Sequence, residues 1–224
     1  MDLTQYGWDG RWEAAFEKLD IEGGQPARIV LHQGQQYAAI TRTRVVQTVI
    51  SGALRHSAAS PADLPAAGDW VVLGETPSDG PCPIRAVLPR RSAFMRLQAG
   101  TAAKGQVAAA NADVVFLVSG LDRDFNLRRI ERYLTCAYDS GAAPDIVLNK
   151  ADLRSDLDDV VARVEDAALG APVLPMSAQR GEGVDALGEH VGSGKTAAFL
   201  GSSGVGKSTL INMLLGAERM DTGA

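Results

Sequence analysis

The segment Gly201-Ser202-Ser203-Gly204-Val205-Gly206-Lys207-Ser208-Thr209 matches the pattern G-x-x-x-x-G-K-[ST]. That spacing suits a polyphosphate. Successive backbone N–H groups must turn inward around an anion, and Gly201 and Gly206 supply clearance that a Cβ would remove. Lys207 would neutralise the β- and γ-phosphates, and the Ser208 hydroxyl would ligate Mg²⁺, so these two residues carry the candidate catalytic and metal roles. A helix starting here points its positive end at the same anion. The surrounding sequence agrees: TAAFL before the motif has the pattern of a strand, and LINMLL after it that of a helix.

A second set could read a base. Asn149-Lys150-Ala151-Asp152 follows the apolar run DIVL. The Asp152 carboxylate accepts two hydrogen bonds, which matches the ring N–H and exocyclic amine of guanine. Adenine has no such donor pair, and an unpaired buried carboxylate is costly. Asn149 would fix the strand end and reach the base from its other edge, and the Lys150 stem can lie across the purine face. Alone, the tetrapeptide could equally cap a helix. It gains weight from Ser177-Ala178, which ends the next strand, where a backbone N–H near Ala178 would meet the guanine O6.

The order of these pieces is unusual. In an ordinary guanine-nucleotide domain the phosphate loop comes first, whereas here Asp152 precedes Gly201. Parallel sheets tolerate such rotation because domain termini lie close together and can be joined while the chain opens elsewhere. The expected fold is an N-terminal small β-barrel (OB-fold) followed by a circularly permuted α/β P-loop domain with a parallel sheet, which the family resemblance given below implies is incomplete.

The elements that position these residues follow from the same pattern. Residues 1–25 form a helical extension, with Trp8, Trp12, Phe16 and Leu19 at helical spacing facing a core. Residues 26–104 carry five strand-like runs, ARIVLHQ, QYAAITR, VVQTVIS, DWVVLGE and CPIRAVL, divided by turn residues. Five short strands without a covering helix favour a closed barrel; an OB-fold fits the count and length and is the expected type, and an SH3-like barrel fits nearly as well. From 105 to 224 the texture is α/β. ADVVFLV, DIVLNK, APVLPMSA and TAAFL are buried parallel strands, and Ile130, Leu134 and Ala137 face inward from a helix.

Charge adds a possible partner. Up to Gly105 there are 11 Lys and Arg against 10 Asp and Glu, and from Gln106 on there are 11 against 17, which together give the net −5. Arg85, Arg90, Arg91, Arg96 and Lys104 follow one another with no acid between them, a run that could meet phosphates or be a solvated loop. Cys82 and Cys136 sit in no paired motif, and the acidic, apolar-poor N-terminus MDLTQYGWDGRW is no secretory signal; both point to a reducing cytoplasm. No run is apolar enough to span a bilayer. His32, His56 and His190 are scattered, with no partner at the spacing of a nucleophilic triad.

With NKAD, MSA and GSSGVGKST behind a barrel, and with GDWVVL, LPRRSAFMR, QVAAANAD and DFNLRRIERYL, the chain resembles the RsgA family of small-subunit-dependent GTPases over essentially its whole length. The resemblance implies a cytoplasmic GTP hydrolase that binds GTP or GDP with Mg²⁺; a monomer is expected. It would act late in maturation of the small ribosomal subunit, be stimulated by that subunit, and touch rRNA through the barrel. It also implies a switch threonine, a D-x-x-G strand and a zinc-binding domain after the P-loop helix, which are not expected within these residues. Asp221-Thr222-Gly223-Ala224 ends in Ala and follows the helix too closely to serve as D-x-x-G. Three expectations follow: weak activity of the chain as it stands, a sheet edge at the strand before Gly201, and zinc held elsewhere. The alternative is an RNA-binding barrel with a passive nucleotide domain. An ATPase of another P-loop class would make NKAD a coincidence.

Overall fold

The computed structural model describes the chain except residues 34–35, 76, 78–79, 97–105 and 217–224. The expected loop at Lys104 and the terminal Asp221–Ala224 lie outside the described residues. The chain divides into two compact units, Met1–Ala112 with Ser193–Thr196, and Asp113–Gly192 with the residues from Ala197 on.

In the first unit, a 3-10 turn (Leu3–Tyr6) precedes α1 (Gly10–Glu17). The helix is shorter than the spacing of Trp8, Trp12, Phe16 and Leu19 suggests. Asp9 caps it, accepting from the N–H groups of Arg11 and Trp12, and Gly7 before it turns left-handed at φ 88°. Trp8 thus lies ahead of the helix and Leu19 beyond it, half exposed, while Trp8 and Trp12 are buried against Trp70.

The barrel is built from β1 (Gln25–Gln33), β2 (Gln36–Ile40), β3 (Val45–Ile50), β4 (Trp70–Leu73) and β5 (Cys82–Val87), with α2 (Gly52–Ser57) between β3 and β4. Strand count left the barrel type open; strand order settles it. The closed order is β1-β2-β3-β5-β4, with β3 and β5 parallel and the other neighbours antiparallel, an OB-like barrel. The strand WVVL shows why no alternation is visible in the sequence. Val71 and Leu73 fill the barrel with Ile29 and Ile84, while Trp70 and Val72 point outward beneath Trp8 and Trp12. Both faces are covered, so every residue of the strand is apolar.

A polar brace holds the end of the barrel. Asp69 has no exposed side-chain surface and accepts from Arg90 Nε at 2.8 Å, Arg90 Nη2 at 2.7 Å and the Ala66 N–H at 2.8 Å. Arg90 also donates to the carbonyls of Ala62 and Leu64. Burial pushes the Asp69 carboxyl up, against the pull of Arg90. After β5 comes a two-stranded antiparallel pair, β6 (Ala93–Arg96) and β7 (Gln106–Ala110).

The second unit is a parallel sheet in the order β10-β9-β8-β11, formed by β8 (Val114–Gly120), β9 (Ala143–Asn149), β10 (Val173–Pro175) and β11 (Ala197–Leu200). Among the described residues β11 is an edge strand, as expected. Between the strands run α3 (Leu127–Asp139), α4 (Leu157–Ala167) and α5 (Asp185–His190), and α6 (Lys207–Leu215) follows β11. Helix α3 packs on β8 and β9, burying Ile130, Leu134 and Ala137. Phe116, Val118, Val147, Met176, Val205 and Leu210 form a core cluster that includes the phosphate-loop residue Val205. His190 does find a carboxylate that the sequence spacing hid: its Nδ1 lies 2.7 Å from Oδ2 of the buried Asp145 on β9.

Candidate nucleotide site

The loops after β8, β9, β10 and β11 all leave the sheet at the carboxyl ends of parallel strands, where open α/β sheets bind ligands. The phosphate loop joins β11 to α6. A Cβ on Gly201 would stand 2.2 Å from the Val118 carbonyl oxygen of β8, and one on Gly206 would stand 2.3 Å from Asn149 Nδ2. Glycine at these two positions therefore lets the loop close against the sheet and the base reader. Lys207 Nζ donates to the carbonyls of Gly201 (3.0 Å) and Ser202 (2.7 Å), and burial holds its ammonium below the usual lysine range. Ser203 and Gly204 are exposed, Val205 is buried, and Ser208 and Thr209 sit partly buried in the first turn of α6.

Asn149 joins the two halves of the site. At 2% exposure, its Nδ2 donates to the Val205 carbonyl at 2.8 Å and its Oδ1 accepts the Ala178 N–H at 3.0 Å. One amide therefore ties the phosphate loop to the Ser177-Ala178 loop across 56 and 29 residues of sequence. The amide keeps a second N–H that could donate to a ligand. The Ala178 N–H, expected to face the guanine O6, here donates to Asn149 Oδ1 at 3.0 Å.

Asp152 lies in the short 3-10 turn Ala151–Leu153, and its Oδ1 accepts from the Ser177 hydroxyl at 2.6 Å. Ser177 is fully buried, so it fixes the carboxylate and leaves the other oxygen for a ligand. Lys150 adopts the left-handed conformation (φ 65°), uncommon for a side chain of this size, and its Nζ reaches Asp122 Oδ2 at 2.5 Å and the Gly204 carbonyl at 2.9 Å. That pairing holds the Asp122 carboxyl below its usual range. Beside the reader lies an open groove of about 660 Å³ lined by Leu121, Asp122, Arg123, Asp124, Leu153 and Arg154. Motif spacing alone does not single out the loop at 121–126. Its signal is position: two carboxylates at the carboxyl end of β8.

Donor chemistry fits Mg²⁺ arriving on phosphates. The Ser208 hydroxyl has no hydrogen-bond partner among the described residues, and no three His, Cys, Asp or Glu side chains there could hold a metal alone.

The family model described as "RsgA GTPase" matches residues 87–224, more than half of the chain. The chain belongs to the RsgA GTPase family. Among its RsgA relatives, "Small ribosomal subunit biogenesis GTPase RsgA" of Opitutus terrae is 46% identical, over 100% of this chain and 63% of the relative. The RsgA of Syntrophotalea carbinolica is 42% identical over 99% of this chain and 62% of the relative. The chain thus spans about three fifths of the length of these curated relatives. In fold it is similar to YjeQ from Thermotoga maritima (TM-score 0.64, 24% identity, 85% of this chain and 65% of the other). It is also similar to YloQ, described as a circularly permuted GTPase (TM-score 0.59, 23% identity, 84% and 63%). The fold, a barrel followed by a parallel P-loop sheet with its motifs in rotated order, matches these solved structures.

The expected RNA-facing residues fall into different settings. Arg90 is turned inward onto Asp69 with 17% of its side chain exposed. Arg85 is exposed and donates to the Glu22 carbonyl. Arg91 lies over the Trp12 ring at 4.8 Å and pairs with Asp9 at 3.0 Å. The side chain of Arg96, and all of Lys104, lie outside the described residues.

Proposed function

We propose that this chain is the guanine-nucleotide-binding portion of a GTPase that acts in maturation of the small ribosomal subunit in the cytoplasm. The observation that carries the reading is the Asn149 amide, which locks a base reader and a phosphate cradle into one site. Asp152, held by Ser177, selects guanine through its paired donors, and Ala151 sets the turn between Lys150 and Asp152. The backbone N–H groups of Gly201–Gly206, the N-terminus of α6 and Lys207 hold the β- and γ-phosphates. Ser208 would ligate Mg²⁺, which supplies charge neutralisation on the transferring phosphoryl group, and Thr209 supports the same helix turn.

The barrel unit supplies the RNA contact. Arg11, Trp12, Ala15, Pro89, Arg90 and Arg91 line a concavity of about 130 Å³. The three guanidinium groups there suit a phosphodiester backbone, and Trp12, buried beneath Arg91, supports them from below. Arg85 and Arg91 are the candidates for direct contact, while Arg90 supports them from inside. The protein acts as a monomer and needs no membrane; no helix among the described residues is long and apolar enough to cross one. Zinc, expected of the family, would be held outside these residues.

The test is GTP hydrolysis by the purified chain with and without isolated small ribosomal subunits, together with co-sedimentation at rising salt. Stimulation by subunits, and association that weakens with salt, supports the reading. Association that ignores the bound nucleotide, with no hydrolysis in either condition, would favour an RNA-binding barrel with a passive nucleotide domain.

A further inference from the structure

The phosphate loop is held from three sides. Val205 is tied through its carbonyl to Asn149, and Gly204 through its carbonyl to Lys150. The third tie is at Ser202, whose hydroxyl accepts from Nη1 of Arg129 on α3. The same nitrogen donates to Asp124 Oδ2 at 2.6 Å. Asp124 is itself set by Asp122, whose Oδ1 accepts the Asp124 N–H at 3.0 Å, and Asn126 caps α3 by accepting the Arg129 N–H at 3.1 Å. Behind the loop is a cavity of about 10 Å³, room for about one water, lined in part by Val118, Asp124, Arg129, Ser202 and Val205.

We infer that Arg129 is a positioning residue for phosphate binding: aimed by Asp124, it clamps Ser202 and so sets the carbonyl on which Lys207 rests. The physical reason is the composition of the loop. Between Gly201 and Gly206 only Val205 is buried, so the first turn has little packing to fix it and relies on polar ties. Ser202 carries both ends of the connection. Its hydroxyl takes the Arg129 hydrogen bond, and its carbonyl accepts from Lys207 Nζ at 2.7 Å. Releasing the hydroxyl frees the peptide that orients the ammonium. This inference rests on the guanine-nucleotide reading only for the identity of the nucleotide; the clamp concerns phosphate alone.

The experiment compares Arg129→Ala, Ser202→Ala, their double variant and Ser202→Thr with the wild-type chain. Affinities for GDP and for inorganic tripolyphosphate, each with Mg²⁺, are measured by calorimetry, and unfolding midpoints are taken without ligand. Losing a charge-assisted hydrogen bond should weaken binding about tenfold in either single variant. The loss should be alike for GDP and tripolyphosphate, no larger in the double variant, and restored by threonine. Unfolding midpoints should stay together. Single variants within twofold of wild type, losses that multiply in the double variant, or losses that track a falling unfolding midpoint would each overturn the inference. If the wild type binds tripolyphosphate but prefers GDP no more than ADP, the base reading fails while the clamp is still decided on tripolyphosphate. If it binds neither, both fail.

Discussion

Replacing Asn149 with Ala should uncouple the two halves of the nucleotide site at a calculable cost. The side chain is 2% exposed and satisfies two backbone groups, the Val205 carbonyl and the Ala178 N–H. Truncation orphans both, and each unsatisfied buried group costs about 1–3 kcal/mol, so the loss should be about 2–6 kcal/mol. Asn149→Asp should be no milder, because it sets a carboxylate against the Val205 carbonyl. The two units can be followed separately. The chain's three tryptophans, Trp8, Trp12 and Trp70, all lie in the barrel unit, whereas the longer helices α3 and α4 belong to the nucleotide unit. In urea, Asn149→Ala should shift the far-ultraviolet circular dichroism transition to lower concentration and leave the tryptophan fluorescence transition nearly in place. A circular dichroism midpoint within about 0.5 kcal/mol of wild type would refute the reasoning, because exposed substitutions, not buried hinges, behave that way.

Other outcomes follow from the same contacts. Asp69→Ala leaves the Arg90 guanidinium without its buried partner and should destabilise the barrel by about 3–5 kcal/mol, read on the tryptophan transition. Because Asp122 is held below its ordinary value of 3.8 by Lys150, its contribution is present above that pH and lost as pH falls through the lowered value. Wild type and Asp122→Asn should therefore differ in melting temperature at pH 7 and converge as pH drops below about 3.8. Convergence at alkaline pH instead would count against the pair. Lys207, whose ammonium is disfavoured by burial, costs the fold stability at every pH below its depressed value. Lys207→Met should abolish tripolyphosphate binding while leaving the ligand-free melting temperature unchanged or higher; a lower one would contradict that sign.

Much of this was legible in the sequence, because the signals were local. The five barrel strands, the run VVFLVSG of β8 and the strand–loop–helix around Gly201 each carry their own apolar run and turn residues. What escaped depends on distant partners. Arg90 was grouped with an RNA-facing run on charge, yet its carboxylate, Asp69, lies 21 residues earlier. Asp122 and Arg129 read as ordinary loop and helix polarity until folding brings them to Lys150 and Ser202, 28 and 73 residues away. The short pair β6 and β7 lacks a long apolar run, and each strand is defined by the other. The tryptophan stripe reads as one short amphipathic helix from Trp8 to Leu19, because spacing cannot show that Gly7 and Asp9 break and restart the chain. Barrel type, likewise, follows from pairing order and not from strand count.

The central claim is that Asn149–Asp152 and Gly201–Thr209 form one guanine site. Displacement of a fluorescent GDP analogue from the wild-type chain, with GDP and ADP as competitors in Mg²⁺, tests it most directly. The account predicts displacement by GDP and none by ADP at a hundredfold higher concentration, because adenine leaves the Asp152 carboxylate without its two donors. Equal displacement by the two would show a phosphate cradle with no base reader and contradict it.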